Sequence, residues 1–193
     1  RLHDGRVKAA LGLDAAMAGE LAPLKLGGAR FDTLIDMLPD DKWAPTGADR
    51  VVFQVATNPG ADPGPLNKIA SGGELARFML ALKVVLAGAD PVPVLVFDEV
   101  DAGIGAAVAA AVGERLGGLA KSFQVLVVTH SPQVAARGHH HLRIAKQPDT
   151  ATTVVTVLDP KARQEEIARM LSGAAVTPEA RAAALSLLKG AAA

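Results

Sequence analysis

The sequence predicts an α/β fold, a largely parallel sheet flanked by helices. Three observations lead there. Two short, continuous apolar runs, Val94–Phe97 and Val125–Val128, each end in polar residues and are each followed by a helical pattern. Such runs suit strands covered on both faces, as parallel sheets require. Strand-like and helix-like segments alternate along the second half of the chain, the order that gives right-handed parallel crossovers. Finally, 50% of the 193 residues are hydrophobic but only 3% are aromatic, so the core is built from Val, Leu, Ile and Ala.

The elements follow in order. Residues 1–23, rich in Ala, Leu and charge, read as a helix ending at Pro23, with Leu2, Val7, Leu11 and Leu21 as its inward positions. Arg30 to Leu38 and Arg50 to Thr57 read as strands, and the alternation of Val51, Phe53 and Val55 against Val52, Gln54 and Ala56 predicts cover on both faces of the second. Residues 58–65 hold three prolines and two glycines and read as loop. A helix over Glu74–Ala87, a strand over Val92–Phe97, a loop over Val100–Gly105, a helix over Ala106–Lys121 and a strand over Gln124–Val128 come next. Ser131 and Pro132 fit the N-cap and first position of a short helix. Strands over His140–Ala145 and Thr152–Leu158 precede two closing helices, Pro160–Leu171 and Pro178–Leu188, parted by Gly173.

Composition narrows the chemistry. Formal net charge is zero, so charge gives no footprint of nucleic-acid binding. With no cysteine there is no disulfide or thiol chemistry, and a reducing cytosol is compatible. No apolar run approaches the ~20 residues of a membrane span. The chain opens on Arg1 without a signal-peptide pattern and reads as a piece of something longer.

Two motifs carry chemistry. Ser71-Gly72-Gly73-Glu74 is a glycine turn opening a helix, where unpaired N–H groups and the helix dipole favour a phosphate, and glycine lets the backbone approach it. The same tetrad fits a capping box, in which Ser71 and Glu74 serve the helix's own donors. Asp98 and Glu99 emerge at the carboxyl end of an apolar strand, where open α/β sheets bind ligands. In phosphate-cleaving sites of this design one carboxylate serves Mg²⁺ and a second orients the attacking water. Adjacent strand residues face opposite sides, so the two do not share a role. The alternative is a solvated acidic strand end. Asp101 lies in a glycine-rich turn, where turn chemistry alone would account for it. His130 ends another apolar strand; a single histidine at a strand end is more often structural, and its place beside a carboxylate-ended strand is what favours its facing the same site. His139, His140 and His141 do not read as a metal site, because consecutive strand residues alternate faces.

The order Ser71-Gly72-Gly73-Glu74, Asp98-Glu99, Asp101, His130 resembles the signature, Walker B, D-loop and switch histidine of ABC-type ATPases. The continuation Val100-Asp101 is similar to the SMC-like DNA-repair branch rather than to transporter subunits. Lys68–Arg77, Phe97–Gly105, Val128–Ala136 and Glu166–Leu171 resemble the RecN family within it, with Ala106 standing where that pattern has glycine. The resemblance runs from about Leu21 to Leu188. It implies the C-terminal lobe of an ABC-type P-loop NTPase head, with residues 1–22 as the base of a returning coiled coil and 23–193 as the lobe. No G-x-x-x-x-G-K-[ST] loop occurs in the chain, so Walker A would lie on an N-terminal lobe, and this piece alone is expected to hydrolyse no ATP. The resemblance further implies two heads sandwiching ATP. Asp98 would hold Mg²⁺, Glu99 would be the base, and His130 would sense the γ-phosphate. Ser71, Gly72, Gly73 and Glu74 would act on the nucleotide of the opposite head, with Asp101 at the interface. DNA is the implied partner in double-strand break repair, in the cytoplasm at the nucleoid and away from membranes. The alternatives are another SMC-like or transporter-type ABC ATPase, or a scaffold that only dimerises.

Overall fold

The computed structural model describes residues 1–69, 71–87, 89, 92–147, 152–173 and 175–192. Ala70, inside the first RecN-like string, falls outside them. The chain divides into two compact units, Arg1–Pro91 and Val92–Ala193.

In the first unit, helix α1 (Leu2–Leu21) lies on an antiparallel sheet of β1 (Arg30–Met37), β2 (Asp49–Ala56) and the two-residue β3 (Gly64–Pro65), and helix α2 (Gly72–Val85) packs against α1. Phe31 opposes Val55 and Leu34 opposes Val52 across β1 and β2. Phe31, Val55, Leu24, Met17, Phe78 and Leu80 are buried, and the Phe31 and Phe53 rings stack tilted at 5.4 Å. The inward face of α1 differs from the apolar one expected. Leu2, Val7 and Leu11 are exposed, while Ala10, Met17 and Leu21 are buried. The reason is that polar groups do part of the docking. His3 Nδ1 and Arg6 Nη1 meet the two oxygens of Asp49 at 2.7 and 2.8 Å. Asp14 accepts from the Thr33 hydroxyl at 2.7 Å and the Thr33 amide at 3.2 Å. His3, Arg6, Ala10, Asp14, Met17 and Leu21 recur every three or four residues, so the helical period is kept by a mixed polar and apolar stripe. Cover of β2 is also uneven, with Val55 and Ala56 buried and Val51 exposed.

In the second unit, β4 (Val94–Asp98) pairs in parallel with β5 (Gln124–Val128), and α3 (Ala106–Leu119) makes the crossover. Two parallel strands need such a connection; consecutive strands without a helix between them fold back instead. That is why β1–β2 and the hairpin β6 (Leu142–Lys146)–β7 (Thr153–Val157) are antiparallel, and why parallel pairing among the described residues is confined to β4–β5. Helix α4 (Pro132–Arg137) lies close on α3 because position 113 is glycine: a Cβ there would sit 2.9 Å from Arg137 Cγ and 3.3 Å from the Gln133 carbonyl. Helices α5 (Pro160–Ser172) and α6 (Pro178–Ala192) enclose a small core of Ala136, Ile167, Ala168, Ala180 and Ala184. Asp159 caps α5 by accepting from the Ala162 amide at 2.8 Å, and Arg163 on its first turns donates to the Ala136 carbonyl at 2.9 Å, capping α4.

Candidate functional site

The glycine turn and the carboxylate strand lie in different units. At the turn, Ser71 is extended (φ −92°, ψ 114°) and α2 begins at Gly72. The Glu74 amide donates to Ser71 Oγ at 3.4 Å, longer than a normal bond of ~2.9–3.0 Å. Among the described residues nothing returns from the Glu74 carboxylate to the Ser71 amide, so only half of a capping box forms, and weakly. Ser71 and Gly72 are exposed. A Cβ added at Gly72 would meet nothing within 4 Å. Packing among the described residues therefore gives no reason for glycine there, whereas a bulky anion brought against the backbone would.

In the second unit the register pairs Asp98 with Val128, so β4 and β5 end level. Asp98 and Glu99 leave one strand, and His130 leaves the other, at the same carboxyl end. All three are exposed, and among the described residues no hydrogen bond or ion pair engages their side chains. Glu99 has left the strand: its φ is +48°, in the left-handed region that non-glycine residues seldom occupy. Its amide donates to the Val128 carbonyl at 3.1 Å and its carbonyl accepts from Ala102 at 2.9 Å. Strand alternation therefore does not govern Glu99, and backbone strain of this kind collects at functional sites.

Asp101 is 2% exposed. One oxygen accepts from the Thr129 hydroxyl and the other, Oδ1, is buried with no partner. Thr129 Oγ1 in turn accepts from the Ser131 amide at 2.9 Å. Asp101 thus ties the turn after β4 to the turn that presents His130, and the carboxyl faces into its own unit. Thr129 lies inside the Val128–Ala136 string, but nothing in the sequence gave it a role of its own. Ser131 occupies the N-cap position of α4, yet its Oγ engages Gln133 Oε1 at 3.0 Å instead of the helix backbone.

The expected two-sided burial of β4 and β5 is not met. Leu95 is buried, but Val96 is 68% and Val128 51% exposed, with Val94 and Leu126 beside them. Alternate side chains face opposite ways, so one face of the parallel pair is bare. Leu142, Ile144, Val155 and Val157 form a second exposed apolar face, opposed in pairs across the hairpin.

His139 and His140 are exposed and precede β6, which starts at Leu142, so strand alternation does not apply to them. No group of three His, Cys, Asp or Glu among the described residues could hold a metal by itself. Mg²⁺ does not need one, since it keeps several waters and takes one or two carboxylates plus substrate phosphates. An exposed, unpaired Asp98 fits that donor set. In the Glu166–Leu171 string, Glu166 is buried and paired with Arg169 at 2.5 Å, with Arg143 3.7 Å away, while Ile167 and Ala168 are core. The Arg169 hydrogen bond, chiefly, holds the Glu166 carboxyl below the usual carboxylate range. Among the described residues no helix is long and apolar enough to cross a membrane.

No family model matches the chain. Against individual proteins it is 48% identical over 193 residues to the DNA repair protein RecN of Xylella fastidiosa strain Temecula1, covering 98% of this chain and 34% of that protein. It is 45% identical to RecN of Streptomyces coelicolor, covering 97% and 35%. Vibrio cholerae RecN is 43% identical, with 97% and 34% covered. The chain belongs to the RecN family. It spans about a third of the length of these curated relatives and matches their C-terminal portion. Among solved structures, the Smc head domain with a coiled coil and joint from Pyrococcus yayanosii aligns at TM-score 0.64 and 19% identity, covering 84% of this chain and 29% of that one. A chain from work on ATP-driven dimerisation and DNA-stimulated activation of SMC ATPases aligns at 0.58 and 16%, covering 90% and 99%. The RecN piece therefore has the fold of an SMC head.

Proposed function

We infer that this chain is the C-terminal lobe of an ATP-hydrolysing head in a RecN-type double-strand break repair protein. The observation that carries it is the level ending of β4 and β5, which delivers Asp98, Glu99 and His130 unpaired and exposed at one end of a parallel pair. Asp98 is the Mg²⁺ carboxylate. Glu99, held in a left-handed turn, is the general base toward the attacking water. His130 senses the terminal phosphate, and Asp101 holds the His130 turn through Thr129. Ser71, Gly72 and Gly73, with Glu74 in the first turn, form the signature that meets the nucleotide of a second head. The weak cap and the unneeded glycine support that assignment. The SMC ATPases of the structural comparison dimerise under ATP and are activated by DNA, and the same two partners are proposed here.

Residues 1–22, ending where α1 ends at Leu21, are the base of the coiled coil, and residues 23–193 are the lobe. The N-terminal lobe, carrying Walker A, covers the bare face of Val94, Val96, Leu126 and Val128, since a parallel pair calls for cover on both faces. The reading is tested in full-length protein with Ser71→Arg. ATP-dependent dimers should be lost in sedimentation while nucleotide binding to each head persists. Dimers that still form with ATP would refute the signature assignment.

A further inference from the structure

Arg77 is the one buried residue of α2 that packing does not explain. It is 9% exposed, and its Nε is fully buried with no partner. Among the described residues no hydrogen bond or ion pair engages its guanidinium, and only Nε is fully buried, so its terminal amino groups reach the surface. Taking most of an unpaired guanidinium out of water is costly, and an anion meeting its surface-reaching amino groups would offset that cost. Burial pulls the pKa of Arg77 down, and only the Glu74 charge opposes it.

The position says which anion. Arg77 lies five residues beyond Gly72, about 7.5 Å along the axis at 1.5 Å per residue. Helical side chains lean toward the N-terminus, so this long one returns toward the first turn. Glu74 stands three residues before it on the same face, which places the guanidinium near that turn. There the first-turn N–H groups that any helix leaves unpaired and the loosely held Ser71 hydroxyl favour an anion. A tetrahedral phosphoryl group, with several acceptor oxygens, can meet the helix N–H groups, the Ser71 hydroxyl and a guanidinium together, which a single carboxylate cannot.

We propose that Arg77 is a further binding residue of the signature turn, its guanidinium contacting the terminal phosphoryl group of the nucleoside triphosphate presented to the N-terminus of α2. The proposal rests on the functional reading above. In full-length protein, Arg77→Met and Arg77→Lys are compared with wild type by sedimentation over a range of ATP and ADP concentrations and by thermal unfolding without nucleotide. Arg77→Met should raise the ATP concentration for half-maximal dimerisation about 10- to 100-fold, the worth of a charge-assisted hydrogen bond. ADP binding to each head should not change. Arg77→Lys should recover part of the loss, keeping the charge but not the fork. The nucleotide-free thermal midpoint of Arg77→Met should be equal or higher, since an unpaired buried charge is gone. A lowered midpoint with unchanged ATP dependence would overturn the proposal and make Arg77 the structural partner of a protein carboxylate. Should Arg77→Met not fold, wild-type ATP dependence in Arg77→Lys would overturn it equally. If Ser71→Arg abolishes ATP-dependent dimers and the Arg77 variants do not weaken them, this inference fails while the functional reading stands; if Ser71→Arg has no effect, the functional reading fails.

Discussion

Replacing Thr129 by valine tests how the second unit holds its histidine. Thr129 Oγ1 has two bonds, donating to the buried Asp101 carboxyl and accepting from the Ser131 amide. Valine keeps the shape and removes both. A hydrogen bond to a charged group is worth about 1.5–3 kcal/mol and a neutral one about 0.5–1.5 kcal/mol, so the loss should be about 2–4 kcal/mol. It falls toward the upper end because the other Asp101 oxygen is already buried without a partner. Asp101→Ala with Thr129→Val should cost less than the sum of the two single changes, by about 1–2 kcal/mol, as expected for groups in contact. Denaturant unfolding measures the energies, and hydrogen exchange over 129–137 localises them. A loss under about 0.5 kcal/mol, or strictly additive energies, would refute the claim that Asp101 acts through Thr129.

Two other predictions follow from the same structure. Glu99→Gln in full-length protein should slow ATP turnover about 10²–10⁴-fold, the usual worth of a general base, and should accumulate the ATP-bound dimer; unchanged turnover removes Glu99 from that role. The Asp49 carboxyl is held below its ordinary 3.8 by the His3 hydrogen bond first and by Arg6 second. Its contribution to docking α1 is therefore present above that pH and is lost as the pH falls through the lower folded value. Protection of α1 amides should drop in acid, and Asp49→Asn should flatten that dependence; identical acid profiles would contradict it.

What the sequence made legible divides by physics. Element order came through because Pro, Gly and apolar periodicity are local signals: α3, β5 and α5 begin at Ala106, Gln124 and Pro160, the residues where reading the chain placed them. The inward face of α1 did not, since hydrophobicity is a poor guide where His3, Arg6 and Asp14 make the contacts. Burial of Val96 and Val128 was misjudged for another reason. Their apolar character fits a covered sheet, and among the described residues nothing covers them. In the site, Asp98, Glu99 and His130 were legible from their places at strand ends. Thr129 and the unpaired Arg77 were not, because a partner, or the want of one, is a fact of three dimensions.

The most direct measurement of the in-trans grip is a mixing experiment with two inactive full-length variants, Ser71→Arg and Glu99→Gln. In a mixed pair, the intact Glu99 of one chain faces the intact Ser71 of the other and rebuilds one site of two. Ser71→Arg chains do not pair with themselves and Glu99→Gln chains accumulate as dimers, so turnover should return in proportion to the mixed pairs, to about one quarter of wild type where half of the dimers are mixed. If the mixture stays as inactive as its components, Ser71 and Glu99 serve the same nucleotide from one chain, and the account is wrong.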